Sequence, residues 1–224
     1  MSKSILDIIY DIQSLCIFLS FVVSLRLVKN GKIPDYMKGF FWYPTIGTIV
    51  MGFGFVGNNF FINLEIFGKI INNISLLFHF SFLSIFIIRT MRGTIHNRFL
   101  KLLFVVFFCL ILFSLSIYNI KEMNKPSFAI ANFGLSIFCV IYYYQLFNNI
   151  PTLHLRKEPS FWIITGIFFC MSLHVPIFAI INYLHFKILS SSYRLLIGIT
   201  AFCYAIMHLF FIKAYLCAIH PQKA

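Results

Sequence analysis

Residues 161–183 read FWIITGIFFCMSLHVPIFAIINY, a run of 23 residues without Lys, Arg, Asp or Glu. A helix needs about 20 predominantly apolar residues to cross the hydrocarbon of a bilayer. The stretch therefore predicts a membrane span. Six more runs of this kind lie along the chain. Together they predict seven spans, at about 5–28, 40–61, 66–88, 100–118, 128–147, 161–183 and 195–217. The expected fold is an all-α membrane protein: one seven-transmembrane-helix bundle over residues 1–224.

Composition agrees with that reading. Of the 224 residues, 60% are hydrophobic and 11% are charged. Soluble domains average about 45–50% and about 25%, and a soluble core of this size could not hide so much apolar surface. An ordinary soluble enzyme, a disordered chain and a disulfide-knotted secreted domain are excluded. Seven spans leave about 70 residues for tails and loops, and folded domains start at about 50. No separate kinase, receiver or hydrolase module is expected. The six cysteines, Cys16, Cys109, Cys139, Cys170, Cys203 and Cys217, all fall within spans. They read as small buried apolar residues and not as a disulfide framework. The first span carries Asp7 and Asp11 ahead of its apolar run and basic residues after it, which is the wrong polarity for a cleaved signal peptide.

The net charge of +12 becomes an orientation once the spans are drawn. The side holding the N-terminus carries six Lys and Arg against Asp7, Asp11, Glu65 and Glu122. The other side carries twelve, including Arg26, Lys29, Lys38, Arg89, Arg98, Arg156, Lys157 and Lys213, against Asp35 and Glu158. Basic loops stay in the cytoplasm. The N-terminus is thus expected outside and the C-terminus in the cytoplasm. The charge calls for a lipid bilayer and for no nucleic acid. Trp42 and Trp162 open inward-to-outward helices and are expected as interfacial anchors. Their settings, Phe41-Trp42-Tyr43-Pro44-Thr45 and Phe161-Trp162-Ile163-Ile164-Thr165, also allow a parallel repeat of the first three helices in the last three, with the fourth as linker.

Polar residues deep in a span are the candidates for function. His79, His174 and His208 each fall near the middle of a span. With Asn132 they form a candidate buried polar pocket, and Gln145 adds a donor from the same span. Three histidines could bind a metal or relay protons. Each could equally make a separate interhelical hydrogen bond. No His-x-x-x-His pair and no mid-span acid accompanies them, so neither a metal nor another cofactor is expected, and no catalytic residue is assigned. Pro176 is a candidate kink, because proline frees the carbonyl of Ser172. Asp7 and Asp11 share a helix face; with Asn59 and Glu65 they form a candidate outer vestibule. Gly52-Phe53-Gly54-Phe55-Val56-Gly57 spells a dinucleotide fingerprint, but inside an apolar span it reads as close helix packing. A retinal protein is rejected, since Lys213 lies too near a helix end. Receptor signatures of the Asp-Arg-Tyr and Asn-Pro-x-x-Tyr kind are absent from the sequence.

The stretch Pro159-Ser160-Phe161-Trp162-Ile163-Ile164-Thr165-Gly166, with Tyr142-Tyr143-Tyr144-Gln145-Leu146-Phe147 before it, resembles a group of small, uncharacterised bacterial seven-helix membrane proteins with a Pro-x-Phe-Trp-Ile-x-x-Gly signature. That group looks like the membrane halves of sensor histidine kinases. The resemblance covers about 30 residues and brings no site residue with it. It implies a bacterial inner (plasma) membrane protein working beside a separate signalling partner. The expected function is thus a non-enzymatic sensory or accessory membrane module. A small-solute transporter is the alternative, and a membrane enzyme using the histidines is the third.

Overall fold

A computed structural model describes residues 5–29, 33–50, 64–91, 97–117, 124–149, 155–183 and 190–219. Among them the regular structure is helical throughout, with no strand. The helices are α1 (Ile5–Lys29), α2 (described over 42–50), α3 (Leu64–Thr90), α4 (Asn97–Ile117), α5 (Lys125–Asn149), α6 (Pro159–Tyr183) and α7 (Ser190–Ile219). Short 3₁₀ turns at Asp35–Met37 and Leu155–Lys157 precede α2 and α6. Six of the helices, all but α2, are long and apolar enough to cross a membrane. The chain is a multi-pass membrane protein. The rest of the expected second span, with Gly52 to Gly57, lies outside the described residues.

Helical structure follows from the solvent. Hydrocarbon offers no hydrogen bonds, so each backbone group must pair within its own segment. The chain also places its apolar side chains outward. On α4, Phe99, Leu102, Phe113 and Ile117 are all exposed. In water such a stripe would be an association surface; here it meets lipid. Helix α6 sits deepest, with 50% of its apolar window buried, against 22% for α1 and α4. It packs on α5 and α7, and α7 in turn packs on α1. Helix α3 lies against α4 and α5.

Helix ends are tied by aromatic and polar contacts. Lys213 Nζ stands 5.9 Å from the Trp162 ring, joining the end of α7 to the start of α6. Lys125 Nζ stands 5.7 Å from the Tyr193 ring, joining the starts of α5 and α7 at the opposite end. Gly39, with φ +91°, turns the chain from the first 3₁₀ turn into α2, a conformation that costs other residues. Phe40, next to it, is 2% exposed. Its ring centroid lies 4.4 Å from Phe86 of α3 and 5.3 Å from Phe211 of α7.

Helices α6 and α7 approach closely at Gly166. A Cβ there would lie 2.8 Å from Cβ of Phe210 and 3.2 Å from the Met207 carbonyl oxygen. Neither neighbour is the flexible end of a side chain, so α6 and α7 must separate to admit one. At Gly47 a Cβ would meet only Ile17, at 3.6 Å. Gly166→Ala is expected to cost about 1–3 kcal/mol through overpacking. Gly47→Ala is expected to be neutral or slightly stabilising, because alanine is the better helix former. Thermal midpoints of the two detergent-solubilised variants check this; equal midpoints would contradict the packing account.

Candidate functional site

A cavity of about 180 Å³ lies between α1, α2, α3, α5 and α7. Gln13 and Ile17 line it from α1, Tyr43, Ile46, Gly47 and Val50 from α2, and Ser75, Leu76, Phe78 and His79 from α3. Phe128 of α5 and Tyr204 and His208 of α7 complete the described wall. The cavity thus runs from mid-bundle toward the end where α1, α3 and α5 begin. Among the described lining residues there is no Lys, Arg, Asp or Glu.

Two tyrosines organise the histidines. Tyr43 Oη and His79 Nδ1 share a hydrogen bond of 2.6 Å. The Tyr43 ring also stacks with His208 at 6.1 Å and 23°. Tyr204 stands between the other pair, 5.9 Å from His79 and 4.8 Å from His174. The order is therefore His174, Tyr204, His79, Tyr43, His208, an unbroken row of rings across α6, α7, α3 and α2. Sequence reading found the histidines and missed both tyrosines. Tyr204 and His208 are four apart on α7, a spacing that puts them on one face and could have flagged them. Tyr43 was hidden in a segment read as an interfacial anchor.

The three histidines differ in how far the protein satisfies them. His174 is fully buried. Its Nε2 lies 3.3 Å from the Thr200 carbonyl oxygen, which can only accept, so Nε2 carries the proton. The Cys170 sulfur lies 3.8 Å from Nδ1 and 3.9 Å from Nε2. Both ring nitrogens of His174 are engaged. His79 and His208 are different: His79 Nε2 and His208 Nδ1 are buried with no hydrogen-bond partner among the described residues. Ser84 Oγ, Ser127 Oγ and Asn132 Nδ2 are buried without a partner in the same way, away from the cavity. Among the described residues no three His, Cys, Asp or Glu side chains are placed to share a metal ion.

The other expected site residues fall elsewhere. Asn132 is buried on α5, with Nδ2 unpartnered among the described residues, and does not line the cavity. Gln145 is buried nearer the other end of α5. Helix α6 continues through Pro176, and Ser172 Oγ donates to the Phe168 carbonyl at 2.6 Å. Asp7 and Asp11 are exposed on α1. Asn59 and the Glu65 side chain lie outside the described residues, so the vestibule is described only on its α1 side. Trp42 is exposed, and Trp162 stacks on Phe210 at 5.9 Å.

A second groove, of about 300 Å³, lies at the opposite end of α2, between Tyr36, Lys38, Trp42, Phe82 and Arg89. Lys38 beside Asp35 holds that carboxyl below its usual range. Burial, helped by nearby Glu158, pushes the Tyr36 phenol up.

Comparison of the chain with protein-family profiles, with curated proteins and with solved structures returns no match. The cavity geometry alone must carry the functional reading.

Replacing one partner of the Tyr43–His79 bond strands the other. Interhelical hydrogen bonds in membranes average about 0.6 kcal/mol and reach about 1.7 kcal/mol. A double-mutant cycle of Tyr43→Phe and His79→Phe, read by unfolding free energy, is expected to give a coupling in that range. Strict additivity would refute a shared bond.

Proposed function

We propose that the chain is a non-enzymatic sensory or accessory module of the bacterial inner membrane, in which a small uncharged molecule occupying the cavity changes a separate signalling partner. One observation carries this reading: a cavity inside a membrane bundle lined by aromatic and polar side chains, His79, His208, Tyr43 and Tyr204 among them. The reading includes seven spans, an outside N-terminus and a cytoplasmic C-terminus, supported by the excess of Lys and Arg on one side. The resemblance of Pro159–Gly166 to small bacterial seven-helix proteins supports the signalling role.

The route outward is packing. Helix α7 supplies Tyr204 and His208 to the wall and also packs on α1 and α6. A ligand that fits one arrangement of α7 better than another shifts the balance between them by its difference in affinity. The basic loops at the cytoplasmic side then present that shift to the partner.

Two measurements test the reading. A fluorescent protein fused at the C-terminus is expected to fluoresce, and an alkaline phosphatase fused there is expected to be inactive; the opposite pair of results would reverse the orientation. In the host cell, loss of the gene is expected to alter a transcriptional response. Gly47→Leu, which places a side chain in the cavity, is expected to reproduce that loss at normal membrane abundance. An unchanged transcript profile in both strains would sink the sensory reading.

A further inference from the structure

We propose that the groove at the basic end of α2 holds one anionic phospholipid, its phosphate between Lys38 and Arg89 and an acyl chain along α3. The groove shares no described lining residue with the cavity of Tyr43, His79 and His208. The proposal does not depend on what that cavity holds.

Two cations from separate parts of the chain meet at this groove. Lys38 follows the Asp35–Met37 turn, and Arg89 lies in the last turn of α3. Among the described lining residues there is no Asp or Glu. Asp35 does pair with Lys38, but their side chains are 91% and 67% exposed. Water screens such a pair, so it holds Lys38 only weakly. Glu158 stands near Tyr36 and does not line the groove. Arg89 is exposed and makes no ion pair among the described residues. The positive-inside rule accounts for cations at this end of the bundle. It does not require two of them to share a groove with an apolar floor.

The floor has the polarity of a lipid. Phe82, Ile85, Phe86 and Arg89 stand at i, i+3, i+4 and i+7 on α3, which makes one stripe on one face. A helix rises about 1.5 Å per residue, so Phe82 lies about 10 Å along the axis from Arg89, toward the middle of the span. The stripe therefore runs from a cation at the helix end to apolar surface beneath it. Phosphate above hydrocarbon is the matching order. Trp42 lines the groove from the start of α2 and is exposed, and tryptophan favours the headgroup level. A soluble anion would meet the cations and leave Phe82 and Ile85 unmatched. A zwitterionic lipid would cover the stripe without using both cations. Basic pockets between helices are known takers of anionic headgroups.

Trp42 supplies the readout. Trp162→Phe leaves it as the sole tryptophan and keeps a ring against Phe210. The full chain is placed in phosphatidylcholine bilayers, and the probe is phosphatidylglycerol brominated on its acyl chains, which quenches tryptophan on contact. Brominated phosphatidylcholine is the reference. One Lys or Arg near the surface raises affinity for anionic lipid about fivefold. Brominated phosphatidylglycerol is thus expected to act as though enriched at Trp42 at least fivefold, and unbrominated phosphatidylglycerol to relieve its quenching. Lys38→Gln with Arg89→Gln is expected to bring the enrichment close to one. Arg98→Gln with Lys101→Gln removes the same charge at the start of α4, at the same end but outside the groove. That pair is expected to leave the enrichment unchanged. Quenching by brominated phosphatidylcholine in every variant shows that each has inserted. Equal quenching by the two lipids in the parent overturns the proposal. So does an equal loss in both charge variants, which assigns the enrichment to general surface charge. Relief of quenching by inorganic phosphate or a polyglutamate peptide, at fixed ionic strength, assigns the groove to a soluble anion and overturns the lipid.

Discussion

A polar atom placed in hydrocarbon has no water to fall back on, and the way this chain meets that constraint decides both its packing and its site. Asn124 gives the plainest case. Its Oδ1 accepts from the Ser127 amide at 3.1 Å, capping α5, and its Nδ2 donates to the Ser114 carbonyl of α4 at 2.8 Å. Its own amide donates to Oδ1 of Asn73 on α3. One buried side chain and its backbone therefore join three helices. Tyr142 with Ser160 and Tyr143 with Thr165 fasten α5 to α6 in the same way. Each such bond contributes only about 0.6 kcal/mol on average, but leaving one unmade costs about 1–3 kcal/mol. The bonds specify which helices meet more than they hold the bundle together.

Against that background the cavity is an exception. On the α6 side, His174 is closed off by its own bonds, and Gly166 brings α6 and α7 nearly to backbone contact. On the α2–α3 side the same helix α7 faces open volume, and two imidazole nitrogens go without a partner. Protein interiors pack to crystal-like density, so an open volume of about 180 Å³ sets this side of α7 apart. The asymmetry across α7 separates a histidine whose ring nitrogens both have contacts from two that each leave one nitrogen unpartnered among the described residues.

Much of this was legible in the sequence, for a simple reason. Span hydropathy reflects the solvent, and the solvent acts on every residue alike, so six helices appear within a few residues of their expected bounds. The site was only half legible, because convergence depends on rotation about each helix axis. Histidines at mid-depth were visible, whereas the facing of Tyr43 and Tyr204 was not. Asn124 and Asn73 were missed because a cap at a span's edge looks like loop polarity. The matched Phe-Trp-x-x-Thr segments do share a local feature: Thr45 and Thr165 each donate to the Phe carbonyl four residues back, at 2.8 and 2.6 Å. Thr48 and Thr90 make the same bond in unrelated settings. It is ordinary side-chain back-bonding within a helix and carries no weight for a repeat.

The row of rings does not stop at the cavity. His208 meets Phe211 at 5.3 Å, Tyr43 meets Phe211 at 5.7 Å, and Phe211 meets Phe40 at 5.3 Å. Phe40 then meets Phe86 at 4.4 Å, and Phe86 meets Tyr36 at 6.4 Å, beside Lys38 and Arg89. An aromatic column thus joins the cavity wall to the basic end of the bundle, with Phe40 and Phe211 almost wholly buried in it. Contact alone does not make a pathway; coupling needs an element with two arrangements that both ends bias. Helix α7 carries His208, Phe211 and Tyr215 on one face and packs on α1 and α6. Rings packed this closely leave little slack, so His208, Phe211 and Phe40 hold one another in place. The Asp35–Met37 turn, held against α3 and leading into Phe40, lies at the end of that column.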